Sequence, residues 1–173
     1  MSLTLGVDVG QRRDPAALAI VEGLAVRHVE RLALGTSYLR VADRIAALAA
    51  EAGDIPIVLD VGGVGRAVAD MVEARGLLPT KVTLTGGSKV HVRGCEVSLP
   101  RSALFTPLVA AVQAHRLQVA RPMPYAEELL AELAAMRDAD GKVESRGQGH
   151  HGDLATAVAL AVFGQGLASL RAA

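Results

Sequence analysis

Leu3-Thr4-Leu5-Gly6-Val7-Asp8-Val9-Gly10 is the stretch on which the fold turns. It reads as a β-strand, apolar on one face and ending beside a carboxylate. The same design returns at Ile57-Val58-Leu59-Asp60-Val61, a short apolar run with an acid at its end, followed by Gly62-Gly63-Val64-Gly65. Uninterrupted apolar runs of this length mark buried central strands. Between the two lie further strand patterns at residues 16–22 and 25–34, separated by Gly23. Three successive strands with short joins make an antiparallel meander. Ser37 then has the side chain of an N-cap. Tyr38, Val41, Ile45, Leu48 and Ala49 follow at helical spacing, and Gly53 and Pro56 end that helix.

Beyond Asp60, the Gly62–Gly65 turn leads into a helix through Val68, Met71 and Val72, closed by Gly76. Residues 81–85 form another strand. Residues 89–99 are polar and read as irregular. Pro100 opens a helix through Leu104, Leu108 and Val112, and residues 117–119 are a short extended piece. Residues 125–137 spell an amphipathic helix with Leu129, Leu130, Leu133 and Met136 on its apolar side. Residues 138–152 form a polar, glycine-rich loop or hairpin, and a last helix begins near Asp153. A meander followed by β-α-β units predicts an α/β fold: a mixed central sheet, antiparallel then parallel, flanked by helices.

The chain of 173 residues suits one domain spanning 1–173. Half of it is apolar, enough for a core without staples, and the lone Cys95 excludes an internal disulfide. A reducing, cytoplasmic setting follows. Met1-Ser2-Leu3-Thr4 lacks the basic start and apolar run of a signal peptide. The longest charge-free run, residues 154–170, is shorter than the roughly 20 residues that span a bilayer, so it reads as a buried helix and no membrane is expected. The 18 cationic and 18 anionic side chains cancel, so no basic field announces a nucleic-acid partner. Four aromatics, Tyr38, Phe105, Tyr125 and Phe163, offer little for stacking single strands.

The chemistry lies in three carboxylates. Neighbouring first and fourth strands would set Asp8 beside Asp60, and a last helix packed across them would bring in Asp153. Three such acids repel unless cations neutralise them. Oxygen-only ligands suit Mg²⁺ or Mn²⁺, and two such ions about 3.5–4 Å apart serve phosphodiester cleavage. Each acid also has a plain structural reading: Asp8 and Asp60 as turn residues, Asp153 as a helix N-cap. Asp14 next to Pro15 reads as a turn signal that could also reach the metal site.

With those residues in order, the chain resembles the nuclease domain of phage large terminases, a branch of the ribonuclease H-like superfamily. Gly6-Val7-Asp8-Val9-Gly10 with Asp14-Pro15-Ala16-Ala17 resembles its opening strand pair, and Val58-Leu59-Asp60-Val61-Gly62-Gly63 its second acidic strand. Val82-Thr83-Leu84-Thr85-Gly86-Gly87, Val97-Ser98-Leu99-Pro100-Arg101, His115-Arg116-Leu117-Gln118-Val119 and residues 128–136 are similar to the segments that follow. His151-Gly152-Asp153-Leu154-Ala155 resembles the terminal His-Asp-Asp-Leu motif. The resemblance implies an endonuclease that cuts double-stranded DNA during genome packaging, with two Mg²⁺ or Mn²⁺ ions on Asp8, Asp60 and Asp153. It implies a phage or prophage protein in the host cytoplasm, working with a separate ATPase motor, a small terminase subunit or a portal.

Two departures stand out. Gly152 occupies the place of the first of two aspartates, which leaves His151, or His150, as a candidate ligand or proton carrier. No G-x-x-x-x-G-K-[ST] phosphate loop is present, so no ATPase domain is expected. Arg12, Arg13, Lys89, Arg93, Arg101 and Arg146 are candidate phosphate contacts. Two other readings fit the same residues: a Holliday-junction-resolvase-like nuclease, and a catalytically degenerate domain that binds DNA or a portal. An actin-like ATPase also opens on Asp-x-Gly but needs more length.

Overall fold

Alternation along the first strand settles which side of the sheet carries the acids. In the computed structural model, which describes residues 2–10, 14–139, 142–145 and 152–171, β1 runs over Leu3–Asp8. It pairs antiparallel with β2 (Ala17–Glu22), which pairs antiparallel with β3 (Ala25–Arg31). The expected meander is therefore present. The other edge of β1 is parallel to β4 (Ile57–Asp60), with Val7 opposite Leu59, so Asp8 and Asp60 end adjacent strands. β5 (Thr80–Thr85) and β7 (Glu96–Pro100) extend the parallel half. The sheet is closed by β6 (His91–Arg93) at one edge and β8 (Gln118–Val119) at the other, in the order β6-β7-β5-β4-β1-β2-β3-β8.

The region expected to be irregular, residues 89–99, is a hairpin of β6 and β7. Gly94, at φ 60°, takes the first of two central turn positions, where a tight hairpin calls for glycine. A smaller pairing joins β9 (Met136–Ala139) to β10 (Lys142–Ser145). It takes Met136 out of the helix to which the sequence pattern assigned it.

Leu5, Val7, Leu18, Ile20, Ile57 and Leu59 face α1 (Tyr38–Glu51) and α2 (Gly65–Glu73) and form one core with Val41, Ile45, Val68 and Val72. Ser37 caps α1 as expected, its hydroxyl accepting from the Arg40 N–H. On the opposite face Ala17, Ala19 and Val58 meet α3 (Arg101–Gln113), α4 (Ala126–Ala135) and α5 (Asp153–Arg171). Strand alternation puts Gly6, Asp8 and Asp60 on this second face. The charge-free run falls in α5, which is buried from Asp153 to Ala161. Among the described residues, no helix is long and apolar enough to cross a membrane.

Helix α5 lies almost on the backbone of β1. A Cβ on Gly6 would stand 2.0 Å from the carbonyl oxygen of Ala157 and 2.6 Å from the Ala161 nitrogen. Further along, Gly164 abuts Val58 and Thr4. The helix thus runs antiparallel to β1. Gln165, the polar residue in the apolar run, pins its far half: Oε1 accepts from Gly23 N–H at 2.7 Å and Nε2 donates to Val21 at 2.9 Å.

Glu30 joins β3 to α1 through two hydrogen bonds from Arg44, at 2.8 and 2.9 Å, and one from His28 at 3.2 Å. Burial works to raise its carboxyl, but the His28 and Arg44 contacts overcome it and hold the group at about 2, against an ordinary 4.5. A depressed carboxyl favours the fold fully above the ordinary value and loses that effect as pH falls through its folded value.

Two outcomes follow. Gly6→Ala must push α5 off the sheet, and overpacking of this kind costs roughly 1–3 kcal/mol, read as an earlier urea midpoint. Glu30→Gln should melt below wild type at pH 7, and the gap should close between pH 4.5 and about 2 in a pH series of thermal melts.

Candidate active site

Three chain segments carry acids to one cleft. Asp8 and Asp60 end β1 and β4, one step beyond the Val7–Leu59 pair. Asp153 begins α5, on the stripe that continues through Ala157 and Ala161 over Gly6. Four helix residues advance about 6 Å and two strand residues about 6.6 Å. One helical turn back from Ala157 and two residues on from Gly6 therefore bring Asp153 over Asp8. The cleft, about 270 Å³, is lined by Asp8, Asp14, Asp60, Arg101, Asp153 and Thr156, with backbone from Gly10, Gly62 and Gly63.

The surroundings of each carboxyl differ. Asp8 keeps some surface open to the cleft, yet burial pushes it well above the usual carboxylate range. The charges of Asp153 and Asp60 push it further, Asp14 adds a little, and Arg101 opposes them. Asp60 is raised by burial, against a hydrogen bond from the Gly62 N–H at 2.8 Å and the charge of Arg101. Asp60 is thus both the turn residue and an acid of the cleft. Asp153 is buried, 6% exposed. Behind it, Thr156 donates its hydroxyl to the Gly152 carbonyl at 2.9 Å.

Among the described residues, no three acidic, histidine or cysteine groups stand close enough to form a finished metal cage. The aspartates share the cleft at wider spacing. Their donor chemistry, carboxylate oxygen throughout, fits a hard divalent cation. Cys95 is exposed in the β6–β7 turn and adds no thiolate.

Of the basic candidates, Arg101 lines the cleft, its guanidinium 5.0 Å from the Phe105 ring centre. Lys89 precedes β6 and is exposed. Arg93 pairs in register with Glu96 on the edge strand β6, three strands away from the Asp60 strand β4. Arg12, Arg13, Arg146, His150 and His151 lie outside the described residues.

Sequence reasoning gave no role to Glu132. It is buried at the N-terminus of α5, where its Oε2 accepts from the Ala155 N–H at 2.9 Å and its Oε1 receives Arg31. The signal was its position. Leu129, Glu132, Leu133 and Met136 share the i, i+3, i+4, i+7 stripe, so a charge sits where the helix is buried.

Solved structures share this arrangement of strands and helices. The large terminase nuclease from thermophilic phage G20c with bound magnesium matches at TM-score 0.65 and 24% identity, over 94% of this chain and 80% of that one. Its cobalt-bound form matches at TM-score 0.68 and the same identity and coverage. A mutant nuclease domain of the large terminase subunit of bacterial virus Sf6, with manganese and beta-thujaplicinol, matches at TM-score 0.60 and 17% identity, over 94% and 88%. The chain has the large terminase nuclease fold. It is a ribonuclease H-like mixed sheet flanked by helices, as the sequence pattern and the resemblance together predict. No protein-family model and no curated protein matches the sequence.

In this terminase nuclease fold, the cleft gathers like charges at a stability penalty. A carboxyl raised on folding favours the fold at low pH and loses that contribution as pH rises from its unfolded value through its folded one. Asp8→Asn, which removes the buried like charge, should therefore raise the melting temperature at neutral pH in chelator. Each 1 kcal/mol regained appears as roughly 2–4 °C in a domain of this size. The gain should vanish at acid pH, where wild-type Asp8 is protonated. A melt no higher than wild type at pH 7 would contradict the assigned environment.

Proposed function

We propose that this chain is a divalent-metal-dependent endonuclease acting on double-stranded DNA, of the kind used in phage genome packaging. The observation that carries this reading is the convergence of Asp8, Asp60 and Asp153 in one cleft, with Asp8 held there against both burial and its neighbours' charge. Carboxyls perturbed by burial and by like charges in a cleft are characteristic of functional sites. The magnesium-, cobalt- and manganese-bound terminase nucleases of the same fold support it.

Asp8, Asp60 and Asp153 would hold Mg²⁺ or Mn²⁺, and Asp14 lines the same cleft. When bound, such ions supply charge neutralisation and an activated water for phosphodiester hydrolysis. The chain's own residues do the rest. The Gly62 N–H fixes one oxygen of Asp60 at 2.8 Å and orients the other. Arg101, the cation of the cleft, would hold a phosphate oxygen against the acids, and stacking on Phe105 limits its swing. The Thr156 hydroxyl and N–H both donate to the Gly152 carbonyl and close the first turn of α5 behind Asp153. His151 would serve beside Asp153 as ligand or proton carrier. Lys89 would contact phosphate further out, and Arg12, Arg13, Arg93 and Arg146 complete the proposed set of DNA contacts. The ATPase motor, small terminase subunit or portal would be the partners in packaging.

Plasmid cleavage with Mn²⁺ tests the proposal. Wild type should nick and linearise supercoiled DNA, and chelator should stop it. Asp8→Ala, Asp60→Ala and Asp153→Ala should each fall to background, while Arg101→Ala should cut slowly and with a shallower salt dependence. Three aspartate variants that cleave like wild type would dismiss the site. Selective cutting of four-way junctions over linear duplex, by a stable dimer, would favour a resolvase.

A further inference from the structure

The first turn of α5 carries Asp153, and something must satisfy the N–H groups that begin every helix. Sequence alone would hand that task to Asp153. In the structure the Ala155 N–H donates to Glu132 Oε2 at 2.9 Å, and the Leu154 N–H bears on the same carboxylate. Glu132 comes from α4, 23 residues away. Its other oxygen takes the Arg31 guanidinium at 2.5 Å. The two side chains are only 6% and 10% exposed. Arg31 is the last residue of β3, its guanidinium lies 6.0 Å from the Tyr125 ring centre, and Tyr125 donates its hydroxyl to the Arg31 carbonyl at 3.4 Å. Arg31 Nε is buried with no hydrogen-bond partner among the described residues, so Glu132 is the guanidinium's main anchor.

A buried ion pair seldom adds much to stability relative to apolar side chains of the same shape. Its value here is placement. A carboxylate at a helix N-terminus is favoured by the helix dipole, and this one is fixed from behind by a sheet residue. We infer that Glu132, held by Arg31, is a positioning residue that sets the first turn of α5 and so places Asp153 relative to Asp8 and Asp60. The inference rests on the nuclease reading for its metal consequence, but not for the placement of the turn.

Two charge-balanced double variants isolate the cap. Arg31→Met with Glu132→Leu removes both charges and the capping oxygen. Arg31→Met with Glu132→Gln removes both charges and keeps an oxygen for the Ala155 N–H. Three readouts separate placement from stability: amide hydrogen exchange along α5, the Mn²⁺ concentration giving half of the thermal shift, and plasmid cleavage. The leucine pair should speed exchange at Leu154 and Ala155 without changing the middle of α5. It should also raise the Mn²⁺ midpoint by roughly 10- to 100-fold, the range seen when a group orienting a metal ligand is lost. Cleavage should recover at high Mn²⁺, and the glutamine pair, which keeps the capping oxygen without Arg31 behind it, should fall between wild type and the leucine pair in all three.

A leucine pair that melts lower yet keeps wild-type exchange and a wild-type Mn²⁺ midpoint would overturn the inference. So would a glutamine pair as impaired as the leucine pair. A wild type with no Mn²⁺-linked shift would instead sink the nuclease reading and the metal consequence with it. The exchange data would still decide whether Glu132 places the turn.

Discussion

The backbone-to-backbone seat of α5 on β1 is the constraint on which the cleft depends. Gly6 leaves room for the Ala157 carbonyl, and alanines along the helix let it settle against Ala17, Ala19 and Val58. Small residues bring main chains close but interlock weakly, because they offer few knobs to resist sliding. The ends of the helix supply what the middle lacks. Gln165 ties the far half to the β2–β3 turn, and Glu132 ties the first turn to α4 and β3. A featureless apolar helix is thereby held in register along its own axis, and that register places Asp153.

The cleft opposes the stability of the molecule around it. Two large apolar cores lie on either side of the sheet, and the acids are grouped where these cores end. Asp8 is pushed up by its burial and by the acids facing it, a condition the fold tolerates because both strands and the helix are fixed by other contacts. Catalytic sites commonly carry this tension between local electrostatics and global stability. Arg101 relieves part of it, since its charge draws both Asp8 and Asp60 down.

The two acidic strands were legible because burial leaves its pattern in the chain: alternation in Leu3–Asp8 and an unbroken apolar run in Ile57–Asp60. Their adjacency followed from the meander. Asp153 was legible only with the resemblance, since a helix-starting aspartate looks the same whether it caps or binds. The β6–β7 hairpin was missed because all three residues of β6 are exposed, so buried positions occur only in β7, at Val97, Leu99 and Pro100. Glu132 and Arg31 were missed for a different reason. They meet across 101 residues, and no local pattern announces a contact that only the tertiary fold creates.

An open sheet of eight strands offers two rows of unpaired backbone groups, an invitation to neighbouring chains. This one tapers before it stops. It ends on a strand of three residues at one side, with His91 and Arg93 turned to solvent, and on a strand of two residues at the other. Neither is long enough to template a foreign strand, and the charged edge would repel an apolar one. Among the described residues the sheet thus offers a neighbouring chain no long free edge, without needing a closed barrel.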